Sequence, residues 1–233
     1  MTQIVSLSFY RFAGPLARLW ALGMMGGARL PLARTPHIGF WKLCGSGTGE
    51  GFTPVPNTAV YAILATWPDI ETARARTQNG IFARYMQRAT EHWTVFLEPR
   101  STRGAWSGQA PFEPTAGPLA GPLAALTRAT IKPRILTRFW RRVPNISAMI
   151  GSDTNVAFKI GIGEVPMLHQ VTFSIWPSEQ AMAAFARTGP HADAIRAVRD
   201  EGWFREELYA RFAVHSDIGT WNGTSPLSRL EAA

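Results

Sequence analysis

Cysteine is nearly absent: the chain of 233 residues holds one, Cys44. That excludes an intramolecular disulfide and any zinc or iron–sulfur site built on several cysteines, and it suits a reducing compartment. Charge is sparse as well. Charged residues make up 17% of the chain against 46% hydrophobic ones, which excludes a disordered polyelectrolyte and points to a globular fold. No apolar run is built to span a bilayer, because the most apolar early stretch, Gly14 to Ala33, is interrupted by Arg18, Arg29 and several Gly and Pro. The opening MTQIVSLSFYRF alternates like a strand, and no small-residue cleavage site follows a basic segment. No secretory signal is therefore expected, and the expected location is cytoplasmic.

Familiar catalytic loops are missing too. The run Gly45-Ser-Gly47-Thr-Gly49-Glu-Gly51 does not satisfy GxGxxG from either Gly45 or Gly47, and no GK[ST] follows. A structural turn is the better reading of these glycines. The chain has no Gly-x-Ser-x-Gly elbow. The net charge of +8 comes with no recognised nucleic-acid motif, so no nucleic-acid partner is expected. A basic surface suits anionic lipid headgroups or an acidic protein.

What the chain does have is aromatic residues and a repeat. Nine Trp and thirteen Phe can fill a core or line a pocket for a long apolar ligand. Trp67-Pro68 recurs as Trp176-Pro177, each after an apolar run (TAVYAILATWP, QVTFSIWP) and each before a helix start with Asp69 or Ser178 as N-cap. Further ordered matches are LARLW with LTRFW, Trp41-Lys42-Leu43 with Phe158-Lys159-Ile160, Glu91-His92-Trp93 with Glu201-Gly202-Trp203, and Gly104-Ala105-Trp106 with Gly219-Thr220-Trp221. The first half predicts strands near 3–12, 38–45, 58–66 and 93–99 with helices near 14–28 and 70–91. The second predicts strands near 123–131, 155–162, 168–176 and 209–216 with helices near 134–149 and 178–207. This is an α+β chain made by tandem duplication of a ferredoxin-like βαββαβ unit, whose two units can bury their apolar sheet faces together as a pseudo-dimeric α+β barrel. The expected organisation is a first half over 1–100, a Gly/Pro-rich linker over 101–122 and a second half over 123–233.

The candidate ligands are His37, His92, His169, His191 and His215. His215 with Asp217 is a fragment of a non-heme iron triad, with no local partner to complete it. His191 follows Gly189-Pro190, a helix start, and falls on one face with Ile195 and Val198. A helix N-terminus disfavours positive charge and so favours the neutral, metal-ligating imidazole. By the Trp-Pro spacing, His191 corresponds to Phe82, so a ligand there would give one cofactor per chain. The alternative is a core histidine bonded to a backbone carbonyl, which periodicity by itself favours.

The stretches FWKLCGSGTGEGFTP, LAALTRATIKP, FKIGIGEVP, QVTFSIWP and GPHADAIRAVRDEGWFREELYARF together resemble the spheroidene monooxygenase family, acyclic carotenoid 2-ketolases of purple phototrophic bacteria. The resemblance runs from the first strand to Trp221 and is poorest over 101–122 and after Pro226. It implies a heme monooxygenase of carotenoid biosynthesis that uses O2 and reduced ferredoxin to place a keto group at C2 of spheroidene and related acyclic carotenoids. His191 is then the expected axial heme ligand. Its helix also resembles that of dimeric α+β barrel heme proteins, such as heme-degrading monooxygenases, where the histidine lies one turn on, at Ile195 here. An allylic C–H bond has no acidic proton, so a redox cofactor must attack it. Hydroxylation twice at one carbon gives a gem-diol, which loses water to become a ketone. A lipid-soluble substrate further predicts peripheral association with the inner, photosynthetic membrane through a basic surface. The other readings are a heme-degrading or peroxide-handling barrel, a non-catalytic carotenoid or heme carrier, and thiolate ligation by Cys44.

Overall fold

The computed structural model describes residues 2–49, 51, 53–117, 121–141, 156–187 and 201–231. His191, Ile195 and Val198 lie outside the described residues. The strands are β1 (Ile4–Arg11), β2 (Trp41–Gly47), β3 (Pro56–Trp67), β4 (Glu91–Gly104), β5 (Leu123–Ile131), β6 (Phe158–Gly163), β7 (His169–Trp176) and β8 (Phe204–Gly219). They close into one barrel in the order β1-β3-β2-β6-β7-β5-β8-β4, antiparallel throughout. Each half contributes four consecutive strands in the ferredoxin-like order, so the barrel is the expected duplication.

The two seams between halves are unequal. β4 and β8 pair over most of their length, whereas β2 meets β6 only at Gly45–Gly163 and Ser46–Ile162. The glycine run closes this short seam. A Cβ on Gly51, whose φ is +91°, would lie 1.7 Å from the Gly161 carbonyl oxygen, so the loop needs glycine to cross β6.

Helices α1 (Pro15–Gly27), α2 (Arg29–Ala33), α3 (Ile70–Thr77) and α4 (Gly80–Met86) cover the first-half sheet. Asp69 caps α3 by accepting from the Thr72 N–H at 2.7 Å, and Ser178 accepts from the Ala181 N–H at 3.2 Å at the start of helix Glu179–Arg187, both as their sequences predict. The helix expected over 70–91 is two helices, because Asn79 is extended and Gly80 takes φ +58°. The helix expected over 178–207 does not reach its end. Gly202 takes φ +57° and β8 has begun at Phe204.

Alternation sorts every strand into an inward and an outward face. Inward lie Val5, Leu7, Phe9, Trp93, Val95, Leu126, Phe158, Ile160, Phe173 and Phe212, all buried in one core. Phe9 stacks on Trp93 at 5.6 Å, and Trp93 meets Phe158 at 4.6 Å. These rings fill the barrel interior rather than line a channel through it.

Strand registers give the equivalences between halves. Ile4 pairs with Trp67 as Leu123 pairs with Trp176, so Ile4 matches Leu123, and Phe9 matches Arg128. Leu43 opposes Ile63 as Gly161 opposes Thr172. The sequence match of Trp41-Lys42-Leu43 with Phe158-Lys159-Ile160 is thus one residue out, and a slip of one turns every side chain to the other face: Leu43 points to the helices, Ile160 into the barrel. The match of Glu91-His92-Trp93 with Glu201-Gly202-Trp203 also fails, because Trp93 opposes Phe9 where Leu208 opposes Arg128. The match of Gly104-Ala105-Trp106 with Gly219-Thr220-Trp221 holds down to the backbone. Gly104 and Gly219 have φ of 95° and 90°, Ser107 and Asn222 55° and 59°, and Gly108 and Gly223 73° and 84°.

Candidate functional site

Each of these two turns is capped by the other half. Glu206 of β8 accepts from the N–H groups of Ser107 at 2.9 Å and Gly108 at 2.7 Å, while its equivalent Glu91 of β4 accepts from Gly223 N–H at 2.7 Å. Burial raises both carboxyls. These N–H groups, with Arg128 beside Glu206 and Arg11 beside Glu91, outweigh it and hold both below the usual carboxylate range.

Beyond the caps, the two barrel ends diverge. At the Trp106 end sits a buried charge cluster. Arg128, 1% exposed, pairs with Glu206 and lies 3.5 Å from Glu164. Glu164 also accepts from Trp106 Nε1–H at 2.7 Å and pairs with Lys42 Nζ at 3.0 Å. Burial raises the Glu164 carboxyl, but Trp106, Lys42 and Arg128 hold it below its ordinary value. His169 Nδ1 lies 3.5 Å from Glu164, too far for a full hydrogen bond, and burial pushes its pKa down against the pull of that carboxylate. At the Trp221 end the equivalents of Glu164, His169 and Lys42 are Ser46, Val60 and Ile160. Their smaller and apolar side chains line a cavity of about 370 Å³ with Arg11 and Trp221. Nothing in the repeat signalled the cluster, although Arg128 is the one charged residue in LAALTRATI and stands on the inward face with Ala124 and Leu126.

The outward faces diverge more. On the first-half sheet, Tyr10, Leu43, Ile63 and Ala65 pack against the helices with Phe82 of α4. Their equivalents on the second-half sheet are Ala129, Gly161, Thr172 and Ser174. Helix Glu179–Arg187 touches this face at one edge, where Met182 packs with Leu123 and Trp176. Tyr to Ala, Leu to Gly and Ile to Thr remove side-chain bulk from the centre of that layer.

The sequence-based candidates disperse. Cys44 faces the barrel core, fully buried, and burial pushes its thiol well above the ordinary range; such a thiol is inert packing rather than a ligand. His215 is the extra residue of a β-bulge opposite Phe96–Leu97 and is exposed. Asp217 is turned the other way, accepting from Trp93 Nε1–H at 2.7 Å and from Ser225. His37 is exposed in a loop at φ +64°. Among the described residues no group of three or more His, Cys, Asp or Glu could hold a metal ion, and no helix is long and apolar enough to cross a membrane.

This is a single-chain α+β barrel of two ferredoxin-like units with divergent outer faces. The same architecture occurs in aldoxime dehydratase, whose crystal structure matches with a TM-score of 0.66 at 11% identity over 97% of this chain and 87% of that one. A second aldoxime dehydratase structure, in complex with butyraldoxime, matches with a TM-score of 0.67 at 12% identity, covering 97% of this chain and 86% of that one. No protein-family model matches the sequence. Individual relatives do. Spheroidene monooxygenase of Cereibacter sphaeroides is 52% identical over 99% of this chain and 72% of its own length. That of Rhodobacter capsulatus is 50% identical over 97% and 95%, and that of Rubrivivax gelatinosus 36% identical over 90% and 81%. The chain belongs to the spheroidene monooxygenase family, and it is an oxidoreductase.

Proposed function

We propose that this protein is a heme-dependent monooxygenase that converts acyclic carotenoids of the spheroidene type to their C2 ketones, using O2 and electrons from a reduced ferredoxin. The observation that carries the reading is identity of 36–52% with three relatives named spheroidene monooxygenase. A bound heme supplies the O2 activation that an unactivated allylic C–H bond requires. His191 is the proposed axial ligand, in the half whose outer sheet face is lined by Ala129, Gly161, Thr172 and Ser174 rather than by Tyr10, Leu43, Ile63 and Ala65. That difference supports placing a flat cofactor over the second half and none over the first. The packed core around Phe9, Trp93 and Phe158 argues that the polyene lies outside the barrel, along the same face. The chain's tasks are to ligate the cofactor, keep water from it and hold carbon 2 of the substrate beside it.

The test is the absorption spectrum of purified, heme-reconstituted protein, followed by an assay on spheroidene with O2 and reduced ferredoxin. A ligated-heme spectrum with formation of the C2 ketone supports the reading. Turnover in rigorously heme-free protein, or none in the loaded protein, would overturn it.

A further inference from the structure

The outer surface of α1 and α2 is apolar where a surface helix is ordinarily polar. Leu16, Leu19, Leu22 and Leu30 are 82%, 65%, 54% and 57% exposed. At 100° per residue, Leu16, Leu19, Leu22, Gly23 and Gly26 fall on one arc of α1, opposite the buried Ala21 and Met24 that hold the helix to the sheet. A Cβ on Gly23 or Gly26 would meet nothing within 4 Å, so among the described residues none covers the arc at these two positions. Four leucines along one edge are a patch rather than scattered exposure, and such patches mark contact sites.

The charge around the patch selects its occupant. The first 49 residues contain no Asp or Glu. Arg18, Arg29 and Arg34 flank the leucines and are exposed, and Arg84 and Arg88 of the α4 region extend the same layer. Arg88 lies over the Trp20 ring at 4.6 Å, and Arg29 Nε–H donates to the Met25 carbonyl. None of these five arginines joins an ion pair among the described residues. Leucines projecting from a helix that lies flat, ringed by arginine and without acid, match the interface of an anionic bilayer, where the leucines enter the acyl boundary and the guanidinium groups meet phosphates. Both a second copy of this chain and an acidic protein fit less well: the copy would set arginine against arginine, and the acidic protein would leave the leucines without an apolar partner.

We infer that the α1–α2 face, through Leu16, Leu19, Leu22 and Leu30 with Arg18, Arg29 and Arg34, docks the protein on the surface of a membrane containing anionic lipid. The face belongs to the half without His191, and docking is read with neither cofactor nor substrate. Its failure and the failure of the carotenoid reading are therefore separate results.

The experiment is flotation of the full chain with vesicles of neutral phosphatidylcholine, with or without an equal part of phosphatidylglycerol, at low and high salt. The wild-type protein should float with the anionic vesicles and be released as salt rises. Leu16→Ser with Leu19→Ser should weaken binding to anionic vesicles by about tenfold or more, since each leucine forfeits the greater part of a buried apolar side chain. Arg29→Gln with Arg34→Gln should abolish most of the preference for anionic lipid. Val55→Ser, an exposed apolar residue away from the patch, should float like wild type. All these side chains are exposed, so unchanged circular dichroism and melting should accompany the loss. Equal binding to neutral and anionic vesicles at low salt, or wild-type flotation of the leucine double variant, would overturn the inference. So would a dimer in light scattering that the leucine substitutions split while vesicles stay unbound, which would make the face an interface between copies.

Discussion

Replacing Glu206 by Gln tests how the two halves are tied together. The carboxylate serves two backbone N–H groups of the opposite half, Ser107 and Gly108, and the guanidinium of Arg128, which is 1% exposed. Glutamine keeps one acceptor oxygen and turns an amide N–H₂ toward a donor. Each hydrogen bond to a charged group contributes about 1.5–3 kcal/mol, and breaking a fully buried pair costs about 3–5 kcal/mol. Two features reduce the loss here: Glu206 is 24% exposed, and Arg128 keeps Glu164 at 3.5 Å. The expected destabilisation is about 2–3 kcal/mol near neutral pH. The sign with pH follows from the depressed pKa. The carboxylate's contribution is complete above the ordinary carboxylate pKa and is lost as pH falls through the folded value. Wild type and Glu206→Gln should therefore converge as pH falls below the ordinary carboxylate range. Urea unfolding of both proteins at neutral and acid pH reads this directly. A loss under about 0.5 kcal/mol at neutral pH, the level of an exposed pair, or a gap that persists in acid, would refute the reasoning.

Other outcomes follow from the same geometry. Gly51→Ala sets a Cβ 1.7 Å from the Gly161 carbonyl at φ +91° and should cost about 1–3 kcal/mol by chemical denaturation, opening the short β2–β6 seam; a neutral result would mean the loop is free to move. Ala129→Tyr copies Tyr10 onto the second-half face at a buried position and should weaken heme uptake, followed by its absorption band, by about tenfold or more while costing about 1–3 kcal/mol of stability; unaltered uptake in the folded variant would place the cofactor elsewhere. Cys44→Ala removes a buried thiol from the core and should leave the heme spectrum unchanged while costing about 1 kcal/mol of stability; an altered spectrum would reinstate the thiolate.

The duplication was legible because backbone rules leave marks on sequence. Trp67-Pro68 and Trp176-Pro177 end strands of identical topology, and Gly104 and Gly219 both stand where φ is positive. The mismatched repeat segments share one cause. A match of residue types, such as Trp41-Lys42-Leu43 with Phe158-Lys159-Ile160, says nothing of strand face, which is settled by partners across the sheet. The break between α3 and α4 rests on Asn79 and Gly80, a local capping choice that a long polar helix pattern conceals. The charge cluster was illegible because its members come from five separate segments around Lys42, Trp106, Arg128, Glu164 and Glu206. The contrast between Tyr10, Leu43 and Ile63 and Ala129, Gly161 and Thr172 could be seen only once the registers were known.

We propose that one heme, ligated by His191, serves carotenoid oxidation in the second half of the duplicated barrel. The most direct measurement is the absorption spectrum of heme-loaded His191→Ala before and after adding imidazole, with His169→Ala and His215→Ala in parallel. The predicted result is a changed axial-ligand spectrum and lost ketone formation in His191→Ala alone, with the spectrum partly restored by imidazole. A wild-type spectrum and full turnover in His191→Ala would contradict it.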